Sequence, residues 1–319
     1  MLSTKNSFRH LELISTTCLA LIAFAANSVL CRLALKDELI DPAGFTIIRL
    51  VSAAAMFAVL LTFTNKKPVK LEATETTKEI FDETELQPTK LTNSLIKSLR
   101  LNDVKLRCQS ALSLFAYAIA FSYAYTLLDA ASGALILFGS VQLTMIVASF
   151  RSGHRLKPLE WLGIALSFGG LAYLMLPSAS SPSITGFALM AVSGIAWGIY
   201  TLSGKQSRQP FLDTAHNFLL TLPFVVLLGI ITLATIEFTS FGALYALLSG
   251  VLASALGYTL WFKALPSLTA TEAGVLQLSV PIITAIAGAI LLSEAITLPL
   301  VISSTLVLGG IALVIIAKR

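Results

Sequence analysis

The chain has 319 residues, 56 % of them hydrophobic and only 12 % charged, and its mean hydropathy is +0.84. Soluble domains carry roughly 25 % charged residues, so this composition excludes a water-soluble globular protein and points to an integral membrane protein. The net charge of +5 follows from where Lys and Arg fall between apolar runs, so it does not mark a nucleic-acid-binding surface.

Apolar stretches of about 20 residues, each long enough to cross a hydrocarbon core of about 30 Å as a helix, succeed one another along the chain. Ten spans are predicted, near 11–34, 42–64, 109–127, 130–150, 159–176, 185–204, 214–236, 242–262, 268–291 and 297–317. The alternation expected of membrane barrel strands, over about 10 residues, is not seen. "KNSFRH" before the first span and "AFAAN" within it have the look of a signal peptide. The apolar run continues beyond that point to a spanning length, so it is kept as a helix.

Between spans two and three lies the insert "NKKPVKLEATETTKEIFDETELQPTKLTNSLIKSLRLNDVKLR", with nine basic residues, seven acidic residues and two prolines. It has little apolar surface with which to build a core and is expected to be a solvated linker, with regulatory docking as the alternative. "LIKSLRL" within it suits a short amphipathic helix at the anionic inner leaflet.

Lys and Arg accumulate on the cytoplasmic side of membrane proteins. With the N-terminus inside, 19 of the 22 fall on cytoplasmic segments, so both termini are expected in the cytoplasm. No Asn-x-Ser/Thr sequon lies in an outer segment, which fits a bacterial inner membrane. Cys18, Cys31 and Cys108 have neither a disulfide framework nor metal-ligand spacing and read as small apolar residues.

The stretch "LLDAASGALILFGSVQLTMIVA" at 127–148 is nearly restated as "SLTATEAGVLQLSVPIITAIAG" at 267–288. At an offset of 141, Tyr117 falls on Tyr258, Phe121 on Phe262, Leu127 on Leu268 and Gly133 on Gly274; one further residue of adjustment places Gly169-Gly170 on Gly309-Gly310. "DPAGFTIIRL" at 41–50 likewise falls on "DTAHNFLLTL" at 213–222. The chain reads as two copies of a five-helix unit, and an odd number of helices makes the second copy inverted. The basic loop "RSGHRLKP" after span four and its uncharged-by-Lys/Arg counterpart "LSEAITLP" after span nine agree with that inversion. Inverted repeats are the construction of many secondary transporters, in which one central site is exposed to alternate sides.

"AANSVLCRLAL", the Arg of "GFTIIRLVSAA", "GALILFGSVQLTM", "AWGIYTLSGK" and the run "TATEAGVLQLSVPIITAIAGAILLSEAITLPLVISSTLVLGGIALVI" together resemble the EamA-like branch of the drug/metabolite transporter superfamily. The likeness covers nearly all of the chain apart from residues 66–106. It implies a basket of two inverted five-helix halves around a cavity lined mainly by the first four helices of each. It also implies export, exchange or facilitated passage of amino acids, related metabolites or drugs. Residues 1–64 then hold the first two spans of repeat one, 65–107 the insert, 108–177 spans three to five and 185–319 the second repeat. There are two departures: the family often has a Glu before the last helix of each half, which Glu294 keeps and Gly153 replaces, and the insert itself.

An Arg inside a membrane costs about 2.5–3.5 kcal/mol on insertion scales and so faces protein or water. Arg49, seven residues past Pro42 and about 10 Å in from the outer surface, is either a fixed charge that receives a substrate carboxylate or a structural cation. In the second case its partner is Asp37, Glu38 or Asp41, or it snorkels outward. Arg32 sits nearer the rim. Asn27, Gln142 and Gln277 need partners that lipid cannot supply and are candidates for the cavity or for helix–helix bonds. Tyr117, Trp197 and Tyr258 are candidates for an apolar cavity wall, whereas Tyr123 and Trp261 suit interfacial anchors. Gly194, Gly198 and the two double glycines read as close-packing positions. Pro223 and Pro281 read as mid-helix interruptions.

Coupling candidates are His216 and Glu272. Every carboxylate, Glu272 included, lies near a helix end or in a loop, which favours a facilitator or a weakly coupled exporter. A nucleotide-sugar or sugar-phosphate exchanger is the alternative, although it calls for more cations than Arg49 and Arg32. An intramembrane enzyme is more distant, because histidines at 10, 154 and 216 form no ligand set and no G-x-S-x-G elbow occurs. No cofactor, metal or nucleic acid is expected. A small-molecule substrate and the lipid bilayer are, and a homodimer is allowed for.

Overall fold

The computed structural model describes residues 2–64, 90–151, 153, 157–175, 182–204, 207, 209–268 and 276–317. These residues are helical almost throughout, and their only β-type pairing is an isolated bridge between Ile40 and Phe238. The helices are α1 Leu2–Lys36, α2 Pro42–Thr64, α3 Lys90–Tyr125, α4 Ala130–Arg151, α5 Pro158–Leu174, α6 Ile184–Gly204, α7 Pro210–Thr232, α8 Ser240–Ala264, α9 Ser279–Leu291 and α10 Leu298–Ala317. Seven of these, α1, α2, α4, α6, α7, α8 and α10, are long and apolar enough to cross a membrane, and α5 and α9 are shorter apolar helices.

Three of the expected spans differ in form. α3 begins at Lys90 and not near 109, absorbing "LIKSLRL" and crossing the expected boundary at 107. Leu, Lys and Arg are good helix formers and no Pro follows Pro88 in this stretch, so the helix propagates backward from the membrane span. Within the ninth expected span, 268–291, the described helix is α9, and Pro281 lies in its first turn, where no ladder bond is interrupted. Of the two expected interruptions only Pro223 sits inside a helix, α7. α8 runs as an α-helix over Ser240–Leu248, a π-helix over Ser249–Leu256 and an α-helix again over Gly257–Ala264.

The chain runs up and down, as cross-links at its two ends show. At one end the turn between α1 and α2 pairs with the turn between α7 and α8: Asp41 N donates to Glu237 O at 3.0 Å and Thr239 N to Leu39 O at 2.7 Å. At the same end Arg32 Nε donates to Glu294 Oε1 and Arg32 Nη1 to Tyr125 O, both at 2.9 Å, while Ala130 N donates to Glu294 Oε2 at 2.8 Å. At the other end Lys157 Nζ reaches Ala317 O at 2.6 Å and Lys263 Nζ reaches Glu12 Oε1 at 2.7 Å. The start of the α1 span and the end of α10 therefore share one end of the bundle.

Packing is most extensive between α5 and α10, α1 and α8, α3 and α6, α4 and α6, and α2 and α8, followed by α2 and α7, with α1 also lying along α9. A Cβ at Gly163 would run into the carbonyl oxygen of Gly310, and the reverse substitution would run into that of Gly163. Backbone contact this close is the geometry small residues provide in a membrane, where no hydrophobic effect drives helices together. Gly194 and Gly198 do the same for α6 against α4, at Leu137 O and Thr144 Cβ. Large apolar side chains such as Ile184, Leu233 and Ile290 are more than two-thirds exposed. Such a surface would be an aggregation hazard in water and is the ordinary one against lipid.

Candidate functional site

Arg49 lies in the third turn of α2 and is only 1 % exposed, the largest fully buried side chain among the described residues. Its Nη2 donates to the Tyr117 hydroxyl at 2.9 Å and its Nε to Ser254 Oγ at 3.1 Å, while Nη1 has no hydrogen-bond partner. Its guanidinium carbon lies 5.1 Å from the ring centroids of both Tyr117 and Phe121, so aromatic faces take up part of the charge. Of its three expected acidic partners, Asp41 is occupied elsewhere. One of its carboxylate oxygens accepts from Ala43 N and Gly44 N at the start of α2 and the other from Glu237 N. Among the described residues Arg49 makes no ion pair, and it does not reach outward.

Asn27, in α1, joins the same cluster. Its Nδ2 donates to the Tyr117 hydroxyl at 3.1 Å and its Oδ1 accepts from Ser249 Oγ at 2.6 Å. Beside these groups is a cavity of about 20 Å³ walled in part by Phe24, Asn27 and Ser28 of α1, Tyr117 of α3, Trp197 of α6 and Tyr258 of α8; Arg49 is not in the wall itself and meets it through the Tyr117 hydroxyl. That is room for about one water, so the site is closed. The rings pack edge to face or tilted. Trp197 lies 4.9 Å from both Tyr117 and Tyr258, and Phe24 lies 5.8 Å from Tyr258. The Ser28 hydroxyl lies beside that of Tyr125 and the Tyr258 hydroxyl beside that of Tyr117, so Arg49 Nη1 is the buried donor of this cluster left without a partner. Buried polar atoms are almost always paired, and a charged donor is the costliest to leave unpaired.

The structure thus brings together five of the residues singled out from sequence, Asn27, Arg49, Tyr117, Trp197 and Tyr258. Gln142 is buried on α4 one turn beyond the cavity-lining Phe138, with its Nε2 unpartnered, and does not line the cavity itself. Gln277 is buried just before α9. His216 is half-buried near the start of α7, its Nδ1 unpartnered and outside the cavity wall. Glu272 lies outside the described residues. Trp261, expected as an interfacial anchor, is instead 3 % exposed and packs edge to face on Phe24 at 5.7 Å. Its position near the end of a span suggested the interface, but the helix is turned so that the indole faces the bundle. Sequence reasoning missed Phe24, Ser28, Ser249 and Ser254. The serines have no distinguishing signal, because Ser in an apolar helix is commonly satisfied by its own backbone.

Comparison with known proteins agrees with this architecture. Residues 184–316 match the model of the EamA-like transporter family. An uncharacterized protein of Pseudomonas aeruginosa is 42 % identical over 299 residues, covering 94 % of this chain and 93 % of that protein. An uncharacterized transporter of Archaeoglobus fulgidus is 31 % identical over 54 % of this chain and 62 % of its own length. The threonine/homoserine exporter RhtA of Escherichia coli is 31 % identical over 44 % of this chain and 49 % of its own length. A solved crystal structure superposes with a TM-score of 0.57 at 15 % identity, covering 95 % of this chain and 99 % of the other, which is a likeness of fold. The chain is a multi-pass membrane protein and belongs to the EamA-like transporter family of the drug/metabolite transporter superfamily.

Proposed function

We propose that the protein is a secondary transporter of small carboxylate-bearing metabolites, amino acids or organic anions, that works by alternating access in a bacterial inner membrane. The observation that carries this reading is Arg49, a buried cation with no acidic partner among the described residues and one nitrogen left free. Burying an unpaired charge is expensive, and a substrate carboxylate accepting from Nη1 would supply the missing anion in a charge-assisted bond. The hydroxyls of Ser28 and Tyr258 offer further donors, and the ring of Phe24, Trp197 and Tyr258 offers an apolar seat for the rest of the molecule.

Two inverted five-helix repeats, with both termini cytoplasmic, are part of this reading. Exchanging helices one to five with six to ten turns the α3–α6 contact into α8–α1 and α3–α7 into α8–α2, while α2–α7, α4–α9 and α5–α10 map onto themselves; all of these contacts are present. Each half can then take up the other's packing, so that the closed site opens to either end. Residues 65–107 lie outside the two repeats, 1–64 with 108–177 and 185–319, with 90–107 forming the N-terminal extension of α3. A single buried cation suits a monoanionic carboxylate better than a nucleotide sugar or a sugar phosphate. With no carboxylate among the described residues of the central cluster, passage runs down the substrate's own gradient.

The test is efflux of a mixed amino-acid and organic-acid load from proteoliposomes, read by mass spectrometry. Wild-type protein should release carboxylates, and an Arg49→Gln variant that folds should release them at least tenfold more slowly, corresponding to about 1.4 kcal/mol. An unchanged rate in that variant would overturn the reading.

A further inference from the structure

α8 departs from α-helical geometry over the eight residues Ser249–Leu256, "SGVLASAL", where it is π-helical. Five of them, Ser249, Gly250, Ala253, Ser254 and Ala255, are buried. In an α-helix two residues five apart in sequence point roughly 140° away from each other, so Ser249 and Ser254 would not share a face. In the i to i+5 pattern of a π-helix such residues come much nearer to one face. Both hydroxyls consequently meet the central cluster: Ser249 Oγ donates to Asn27 Oδ1 at 2.6 Å, and Ser254 Oγ accepts from Arg49 Nε at 3.1 Å.

The bonds form a circuit that leaves α8 and returns to it. Ser249 holds Asn27, Asn27 donates to the Tyr117 hydroxyl, Arg49 donates to that same oxygen, and Arg49 donates to Ser254. Gly250 lets α8 approach so closely that a Cβ there would strike the carbonyl oxygen of Arg49 itself. Two of the three guanidinium nitrogens are thereby fixed, and only Nη1 is left over.

Resting on the reading that Arg49 receives the carboxylate, we infer that Ser254, presented by the π-helical turn of α8, is a positioning residue that aims Arg49 at the substrate and so sets affinity for it. Ser254 acts through Arg49 and need not touch the transported molecule. Removing its hydroxyl frees Nε and lets the guanidinium rotate, so binding weakens while the moving helices are unchanged.

The experiment uses the full chain in proteoliposomes loaded with the twenty proteinogenic amino acids over a range of concentrations, with efflux read by mass spectrometry. Ser254→Ala is compared with wild type and with Arg49→Gln, and folding is checked by thermal melting in detergent. The expected result is a half-saturating load raised about threefold to tenfold, the range of one lost net hydrogen bond, with the maximal rate within about twofold and melting nearly unchanged. An unchanged half-saturating load overturns the inference, as does a loss of maximal rate that tracks a lowered melting temperature, which marks a purely structural serine. If Arg49→Gln abolishes efflux while Ser254→Ala does nothing, only this inference falls. If wild type releases neither amino acids nor, from the mixed load described above, organic acids, or if Arg49→Gln releases them normally, the carboxylate reading falls and takes the inference with it.

Discussion

The Tyr117 hydroxyl accepts from Arg49 Nη2 at 2.9 Å and from Asn27 Nδ2 at 3.1 Å, so a single oxygen of α3 holds side chains from α1 and α2. The ring beneath it packs on Trp197 at 4.9 Å and on Phe121 at 5.4 Å. Tyr117→Phe should keep those ring contacts and strip the oxygen alone. Two buried donors, one of them charged, would then lose their acceptor, at about 1–3 kcal/mol for each such group before relaxation. The expected outcome is an apparent melting temperature in detergent lower by about 4 °C or more, with carboxylate efflux slowed. A variant that melts and transports like wild type would show that the hydroxyl organises nothing.

At the far end of α1, Arg32 and Glu294 form an ion pair whose side chains are only 16 % and 12 % exposed. Glu294 also accepts from Ala130 N at the first residue of α4, and Lys36 Nζ donates to Leu292 O at 2.9 Å. The Glu that the family places before the last helix therefore ties α1, α4 and the α9–α10 turn together and closes this end of the bundle. Glu294→Gln keeps a hydrogen-bonding oxygen but loses the charge, and about 1 kcal/mol of lost closure changes the open fraction about fivefold. Cys31, next to Arg32 and 0 % exposed, reports on this directly. With the exposed Cys18 and Cys108 replaced by Ser, maleimide labelling of Cys31 should speed up about fivefold in Glu294→Gln. Equal labelling rates would mean that the pair does not hold this end shut.

Much of this arrangement was legible in the residues because a membrane penalises polar groups. Asn27 and Arg49 stand out from apolar runs for that reason, and Tyr117 and Tyr258 stand out as repeat equivalents near mid-span. What brings them to one point was not legible. The π-helical turn at Ser249–Leu256 depends on Gly250 meeting α2 and on two serines finding partners on other helices, and no local pattern in "SGVLASAL" encodes either contact. Trp261 was misplaced for a related reason: distance along a span indicates depth in the bilayer but not which way a side chain faces. The early start of α3 reflects propagation from a span into good helix formers, which a hydropathy reading ends at the first charges.

The double glycines give a test that separates neighbours in sequence. Gly310 faces Gly163 so closely that an added Cβ would overlap backbone, whereas at Gly309 a Cβ meets nothing within 4 Å. Gly310→Val should push α10 from α5 and destabilise the protein by about 1–3 kcal/mol, the usual range for overpacking. Gly309→Val should be close to neutral, because a lipid-facing Val is at home in the membrane. Apparent melting temperatures of the two purified variants decide it. Similar losses in both would contradict the packing of α5 on α10 described above.

His216 is the coupling candidate that lies among the described residues, and its location argues against that role. It stands near the start of α7, half-buried, and the wall of the central cavity is made without it. A proton carried in exchange for substrate needs a site that senses substrate occupancy, and among the described residues the cluster around Arg49 holds hydroxyls, amides and rings but no carboxylate or imidazole. Efflux from proteoliposomes should therefore follow the substrate gradient alone, with rates at inside-acid, inside-alkaline and equal pH agreeing to within about twofold, and His216→Gln should leave all three unchanged. Uphill movement driven by a pH gradient and lost in His216→Gln would assign the imidazole to coupling and require a conformation in which the start of α7 communicates with Arg49.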